Sequence, residues 1–272
     1  MSNLFDCNTI AIFDIDGVIR DVSGSYRRAI ADTVEHFTAG AYRPSPEDID
    51  RLKSEGVWNN DWYCSQELVY RHAEREGHLR TDVNLDYETL VHWFQCRYRG
   101  PDPEDPDQWT GYIADEPLLV TANYFEKLTQ AGVAWGFFSG ATRGSASYVI
   151  ERRLALSEPV LITMEDAPGK PDPTGLLMAV KQLESRFPNA MGKPVFYLGD
   201  TVADMQTPIK AHTQETQRQW LGLGILPPHV QHSADYAARY GEQLTQAGAI
   251  AIFEGAMAVT GEVLWEIGTG AG

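Results

Sequence analysis

The segment Thr9-Ile-Ala-Ile-Phe13-Asp14-Ile-Asp16-Gly17 is the most informative part of the sequence, because a short apolar run ends there in two carboxylates and a glycine. Alternate side chains on a strand point to opposite faces, so Asp14 and Asp16 meet in one site only if the chain curls directly after Phe13. Gly17 permits that curl. Like charges this close repel each other unless a cation lies between them, so the pattern predicts either a divalent metal ion or a shared proton.

Composition predicts a soluble globular protein with an acidic surface. Of the 272 residues, 43% are hydrophobic, and no window approaches the roughly 18 unbroken apolar residues of a membrane span. The formal net charge of −16 opposes nucleic-acid backbones and anionic lipid, so we expect no nucleic acid and no membrane as a partner. A phosphate-bearing substrate would need local positive charge from a metal ion, a lysine or backbone amides.

The N-terminal residues and the spacing of the cysteines predict a cytoplasmic protein. Met1-Ser-Asn-Leu-Phe-Asp6 lacks the basic start and the long apolar stretch of an export signal. Three cysteines without a Cys-x-x-Cys pair fit a reducing compartment and argue against a disulfide framework or a zinc knuckle. We expect Cys7, Cys64 and Cys96 to be ordinary core residues.

Two patterns of apolar residues distinguish different parts of the chain. Between residues 22 and 111, apolar residues such as Tyr26, Ile30 and Val34 recur at helical spacing, and Ser45-Pro46 has the pattern of a capped helix start. Elsewhere, apolar runs alternate with helical stretches, which is typical of a parallel sheet covered by helices. These runs are Thr9–Phe13, Val133–Phe138, Val160–Ile162, Val195–Leu198, Trp220–Leu226 and Ala249–Phe253. We therefore predict an α/β core of residues 1–21 and 112–272, split by an inserted helical domain of residues 22–111.

Polar residues follow several of these runs. Parallel sheets bind ligands at the carboxyl ends of their strands, so such residues are candidates for one shared site. Three strand ends and one proline-bounded turn carry them: Asp14 and Asp16, Ser139 and Gly140, Asp200 with Asp204, and Lys170. Chance poorly explains this set, and we expect it to converge.

In this order the residues resemble the motifs of the haloacid dehalogenase superfamily of phosphotransferases. The first motif is similar to Phe13-Asp14-Ile-Asp16-Gly17-Val18, the second to Phe138-Ser139-Gly140, the third to Lys170-Pro171 and the fourth to Gly199-Asp200-Thr-Val-Ala-Asp204. The helical block between the first two motifs resembles the type 1 cap of subfamily I. The resemblance implies a Rossmann-like parallel-sheet core with an inserted α-helical cap domain.

The resemblance also implies a Mg²⁺-dependent phosphatase that acts on a small phosphorylated metabolite through a phosphoaspartyl intermediate on Asp14. The expected metal ligands are the side chains of Asp14 and Asp200 and the backbone carbonyl of Asp16, since Mg²⁺ prefers oxygen ligands in octahedral geometry. Asp204 is expected to orient a water of the metal or Lys170.

The remaining motif residues each meet one need of phosphoryl transfer. The Asp16 side chain would donate a proton to the leaving group and later take one from water. Lys170 would neutralise charge between nucleophile and phosphate, and Ser139 with the amide of Gly140 would bind phosphoryl oxygens.

Alternatives within and outside this chemistry stay open. Asp16 favours phosphoryl transfer over dehalogenation, because a halide leaves without a proton. A phosphonate-cleaving enzyme would need a Schiff-base lysine in the cap, for which Lys53 is the candidate. A phosphomutase similar to β-phosphoglucomutase and a non-catalytic binding or regulatory protein on the same fold are the other two alternatives.

Substrate specificity is expected to reside in the cap, because the core contacts only the phosphoryl group that all substrates share. Trp58, Asn59, Asn60 and Asp61 are candidates, since polar groups beside an indole can bind a hydroxylated substrate. Asn60 or Asp61 is equally suited to capping the helix that follows. Arg20, near the first motif, is a candidate for binding a second anionic group of the substrate.

Overall fold

A computed structural model describes residues 7–270, so the predicted absence of an export signal at Met1–Asp6 lies outside the described residues. The strands are β1 (Thr9–Phe13), β2 (Val133–Phe138), β3 (Leu161–Ile162), β4 (Val195–Gly199), β5 (Trp220–Ile225) and β6 (Ala249–Phe253). The α-helices are α1 (Tyr26–Phe37), α2 (Pro46–Lys53), α3 (Asp61–Arg75), α4 (Tyr87–Tyr98), α5 (Ala122–Gln130), α6 (Arg143–Ser147), α7 (Thr174–Arg186), α8 (Val202–Gln214), α9 (Ala234–Gln246) and α10 (Gly261–Thr269).

The six strands form one parallel sheet in the order β3-β2-β1-β4-β5-β6. Every residue of β1 is buried, as the uninterrupted apolar run predicts for a strand covered on both faces. The chain proceeds outward from β1 to β2 and β3 on one side and resumes at β4 on the other. Strand order therefore reverses between β1 and β4, which is where open parallel sheets bind their ligands.

Helices cover both faces of the sheet, and the two faces of β1 pack into different apolar cores. Ala11 and Phe13 point into the core with α5, α6 and α10, whereas Ile10 and Ile12 point into the core with α7 and α8. This alternation follows from the two-residue period of a strand. The predicted α/β fold with a parallel sheet is confirmed.

The chain divides into two compact units, residues 1–21 with 118–272 and residues 22–117. In the second unit α1 packs on α3 and α4, where Tyr26 and Tyr98 stack with their ring centroids 4.0 Å apart. This unit extends to Pro117 and so passes the predicted boundary at residue 111. The reason is a buried hydrogen bond of 2.5 Å from the Ser25 hydroxyl to Glu116, which ties the segment after residue 111 to the start of α1.

The predicted burial of all three cysteines is correct for two. Cys7 and Cys64 are buried, but Cys96 is only partly buried because it lies on the side of α4 that faces away from its buried residues. No helix within residues 7–270 is long and apolar enough to cross a membrane.

Candidate active site

The register of β1 and β4 brings two predicted motifs together. Phe13 pairs with Leu198, and the amide of Asp14 donates a hydrogen bond of 2.8 Å to the Leu198 carbonyl. Asp14 and Asp200 therefore follow the ends of adjacent strands at the point where strand order reverses. Parallel pairing explains the convergence, because both strands end at the same edge.

Asp14, Asp200 and Asp204 form a buried group of carboxylates. One oxygen of each lies within 4.8 Å of the others. Gly17 makes room for this group, since a Cβ there would lie 2.1 Å from Oδ2 of Asp200 and the φ of Gly17 is +76°. Carboxylate oxygens gathered at this density suit a hard divalent cation such as Mg²⁺. The residues present therefore fit a divalent metal ion.

Lys170 is the cation of this cluster. Its Nζ lies 2.9 Å from Oδ1 of Asp14 and 2.6 Å from Oδ1 of Asp204, and its side chain is 2% exposed. Burial alone would lower the pKa of Lys170, but the carboxylates of Asp14 and Asp204 outweigh that effect and hold the pKa well above its usual value. Lys170 is therefore a fixed positive charge next to Asp14.

The surroundings of Asp14, in contrast, disfavour its charged form. The pKa of Asp14 is raised to about 7 as the net result of several effects: burial raises it most, Lys170 lowers it, and repulsion from Asp204 and Asp16 raises it. A carboxyl group that is reluctant to ionise gains from a nearby positive ion, which is a second reason why a metal ion fits here.

Both carboxylate oxygens of Asp204 accept hydrogen bonds from neighbouring residues. Its Oδ1 accepts hydrogen bonds from Lys170 and from the Tyr197 hydroxyl at 2.6 and 3.2 Å. Its Oδ2 accepts from the amide and the hydroxyl of Thr201 at 2.9 and 2.6 Å. Because four donors already engage the two oxygens, this geometry favours the predicted role of Asp204 in orienting Lys170 over direct metal ligation.

Tyr197 is a site residue that the sequence analysis missed. Its buried hydroxyl lies 3.0 Å from the carbonyl of Phe138 and 3.2 Å from Asp204, and its ring centroid lies 5.7 Å from Nζ of Lys170. Burial raises the pKa of Tyr197 well above its usual value, so the hydroxyl remains a hydrogen-bond donor. The available signal was a tyrosine in an otherwise apolar buried strand, because a buried hydroxyl needs a partner.

Ser139 and Gly140 follow the end of β2, the other neighbour of β1. The amide of Ser139 donates to Ile162 at 3.0 Å, which anchors the turn on β3. Its hydroxyl oxygen accepts from the amide of Ala141 at 3.1 Å, so the hydroxyl keeps its own hydrogen for donation. This position at the same sheet edge is compatible with the predicted phosphate-binding role.

The side chains of Asp16 and Arg20 are in direct contact. Nε of Arg20 lies 2.6 Å from Oδ1 of Asp16, and the Arg20 side chain is 0% exposed whereas that of Asp16 is 25% exposed. A fully buried guanidinium directed at Asp16 disfavours the predicted role of Arg20 in binding a second anionic group of the substrate.

The predicted specificity residues of the second unit have local partners. Oδ1 of Asn60 accepts from the amides of Trp62 and Tyr63 at 3.0 and 3.1 Å, so Asn60 caps α3. The carboxylate of Asp61 lies 2.6 Å from Nζ of Lys53. These contacts favour the helix-capping and structural alternative for both residues.

Lys53 is poorly suited to Schiff-base chemistry. Burial lowers its pKa, but Asp61 outweighs burial and the net shift is upward, which keeps the amine protonated. Trp58 donates from Nε1 to Glu55 at 2.8 Å, and the Asn59 carbonyl accepts from Lys53 at 3.3 Å. A role of Trp58 and Asn59 in substrate specificity stays a prediction.

Comparison with known proteins agrees with these observations. The family of haloacid dehalogenase-like hydrolases matches residues 9–212. A protein of Phytophthora nicotianae named imidazoleglycerol-phosphate dehydratase is 29% identical over 245 residues, which make up 88% of this chain and 48% of that protein. This chain therefore spans about half the length of that curated relative.

Solved structures share the fold at low sequence identity. A family IA, variant 3 hydrolase from Entamoeba histolytica is 16% identical, with a TM-score of 0.61 over 96% of this chain and 99% of that one. Phosphatase Tt82 from Thermococcus thioreducens is 22% identical, with a TM-score of 0.53 over 75% of this chain and 88% of that one.

Proposed function

Because the chain belongs to the haloacid dehalogenase-like hydrolases, we propose that it is a Mg²⁺-dependent phosphatase that hydrolyses a small phosphorylated metabolite through a phosphoaspartyl intermediate on Asp14. The observation that carries the proposal is the contact of the Lys170 ammonium with the Asp14 carboxylate at 2.9 Å inside a buried cluster of acids. A fixed cation beside an anionic nucleophile is what allows that nucleophile to approach an anionic phosphoryl group.

The reaction proceeds in two displacements. The Asp14 carboxylate attacks phosphorus, the bond from phosphorus to the leaving oxygen breaks, and Asp16 gives its proton to that oxygen. Water then attacks the phosphorus of the acyl phosphate, Asp16 takes a proton from the water, and inorganic phosphate leaves the Asp14 carboxylate. Asp16 ends in the protonation state in which it began.

Other groups hold the transferred phosphoryl group. Lys170 and the hydroxyl of Ser139 supply a charge and a hydrogen-bond donor, and the amide of Gly140 supplies a second donor. The carboxylates of Asp14 and Asp200 and the backbone carbonyl of Asp16 would hold Mg²⁺. The ion would contribute the further positive charge that phosphoryl transfer needs.

Release of phosphate from p-nitrophenyl phosphate tests the proposal. We expect release by the purified protein with Mg²⁺, none with EDTA, and none by the Asp14→Asn variant. Asp235→Asn, an exposed acid in the first turn of α9, is the matched control and should retain activity. A protein that releases no phosphate from a broad panel of phosphate esters would refute the proposal and favour a binding or regulatory function.

The panel should include sugar phosphates and imidazole-bearing phosphate monoesters. The curated relative is named for a phosphate ester that carries an imidazole ring, which motivates the second group. Formation of an isomeric sugar phosphate without release of phosphate would instead identify a mutase.

A further inference from the structure

We propose that Arg20 is a positioning residue that orients the Asp16 carboxyl group for proton exchange; this inference rests on the proposed phosphatase function. Nε of Arg20 lies 2.6 Å from Oδ1 of Asp16. The contact engages one carboxyl oxygen, so the other oxygen, Oδ2, is the atom assigned to the proton. Asp16 is the more exposed member of the pair, at 25% against 0% for Arg20, and is therefore the one that can meet a substrate.

Hydrogen bonds fix the backbone of Arg20 in the turn that follows β1. Its carbonyl accepts from the amide of Gly17 at 2.9 Å, and its amide donates to the carbonyl of Ile15 at 3.2 Å. Arg20 also forms an isolated antiparallel β-bridge with Leu118, where the chain re-enters the first unit. The guanidinium therefore reaches Asp16 from a Cα that backbone pairing fixes on both sides.

The chemistry of arginine suits this task. A guanidinium is planar, is charged at every working pH, and directs its N–H groups rigidly, whereas a lysine ammonium rotates freely. A short carboxyl side chain such as that of Asp16 would otherwise sample several rotamers at the open edge of the sheet. Holding a proton donor in the reactive orientation lowers the barrier only for steps in which a proton moves.

Two substrates whose leaving groups differ in their need for a proton can therefore test the role of Arg20. Phenyl phosphate releases a phenol with a pKa of about 10, which needs a proton as it departs. p-Nitrophenyl phosphate releases a more acidic phenol that leaves readily without one. If Arg20 acts through Asp16, we expect Arg20→Met to lower kcat/KM for phenyl phosphate about tenfold or more beyond its effect on p-nitrophenyl phosphate. The comparison is made on kcat/KM, because the later hydrolysis of the acyl phosphate, in which Asp16 takes a proton from water, is common to both esters.

Four further variants make the test specific. Asp16→Asn should show the same preference for p-nitrophenyl phosphate, and Arg20→Met should add little to the loss on phenyl phosphate once Asp16 is asparagine. Arg20→Lys should give a smaller loss with the same preference, and it carries the test if Arg20→Met does not fold. Arg218→Gln is the matched control, because Arg218 pairs with Glu184 at the amino end of β5, away from the site, and should treat both substrates alike.

The outcomes separate the inference from the proposed function. Equal losses of kcat/KM on both substrates in the Arg20 variants, or losses that simply add to those of Asp16→Asn, would overturn the positioning role and leave the phosphatase intact. A wild-type protein that hydrolyses neither ester would overturn both.

Discussion

Replacing Gly17 by alanine should weaken metal binding by displacing Asp200. An alanine Cβ at this position would lie 2.1 Å from Oδ2 and 2.6 Å from Cγ of Asp200, so the carboxylate must move. The φ of Gly17, +76°, adds the cost of a left-handed backbone, roughly 1–2 kcal/mol for a residue with a Cβ. Forcing the Asp200 side chain away from its rotamer adds about 0.5–1.5 kcal/mol.

Gly192→Ala isolates the backbone cost. Gly192 has a φ of +73°, but a Cβ there meets nothing within 4 Å, and it lies before β4, at the opposite end of that strand from Asp200. Both variants should lose stability to urea, Gly17→Ala by about 1.5–3.5 kcal/mol and Gly192→Ala by about 1–2 kcal/mol. Only Gly17→Ala should reduce the affinity for Mg²⁺, by about 10- to 100-fold, as expected when a metal ligand is misplaced.

Calorimetric titration with Mg²⁺ measures this difference directly and does not depend on an active substrate. Activation of p-nitrophenyl phosphate hydrolysis by Mg²⁺ gives a second readout. If Gly17→Ala bound Mg²⁺ as tightly as Gly192→Ala, Asp200 would not be the ligand that Gly17 admits to the site, and the reasoning would fail.

Three further predictions concern the buried cluster. Because burial holds the pKa of Asp14 at about 7, protons compete with Mg²⁺, and the apparent affinity should fall about tenfold per pH unit below pH 7 and level off above it; calorimetry that finds no pH dependence would contradict this. Lys170→Met leaves Asp14 and Asp204 buried without their shared cation, so it should abolish phosphatase activity and lower the free energy of unfolding by about 3–5 kcal/mol, measured with urea at pH 8; an unchanged unfolding midpoint would count against the ion cluster. Tyr197→Phe removes the hydroxyl near Asp204 and should cost about 1–2 kcal/mol by the same measurement, with a fold that circular dichroism finds unchanged; full wild-type stability would mean that the hydroxyl contributes nothing.

Local sequence patterns predicted most of the regular structure. β1, β2 and β6 have the predicted bounds, because each is an apolar run that turn residues delimit. The Ser45 capping box begins α2 as expected, since its hydrogen bonds join residues only three positions apart. Such features depend on neighbours in the chain, so they are visible in the sequence.

Contacts between distant segments were harder to predict. Tyr197 was assigned only to a strand, although its hydroxyl approaches Phe138, 59 positions away. The extension of the second unit to Pro117 depends on Ser25 and Glu116, which are 91 positions apart. Neither pairing leaves a periodic signal, because each involves single side chains.

Sequence alone was enough to predict the parallel α/β core, the helical segment between β1 and β2, and the order of the acids and the lysine along the strand ends. A strand's apolar period and the polar residues after it can be read without coordinates, because they reflect local geometry and burial. The folded structure was needed to show that Lys170 joins Asp14 to Asp204, that the Tyr197 hydroxyl contacts Asp204, and that Arg20 turns inward to Asp16. These choices depend on which side chains meet across the packed sheet edge and its loop, where distance and burial set the strength of each charge interaction.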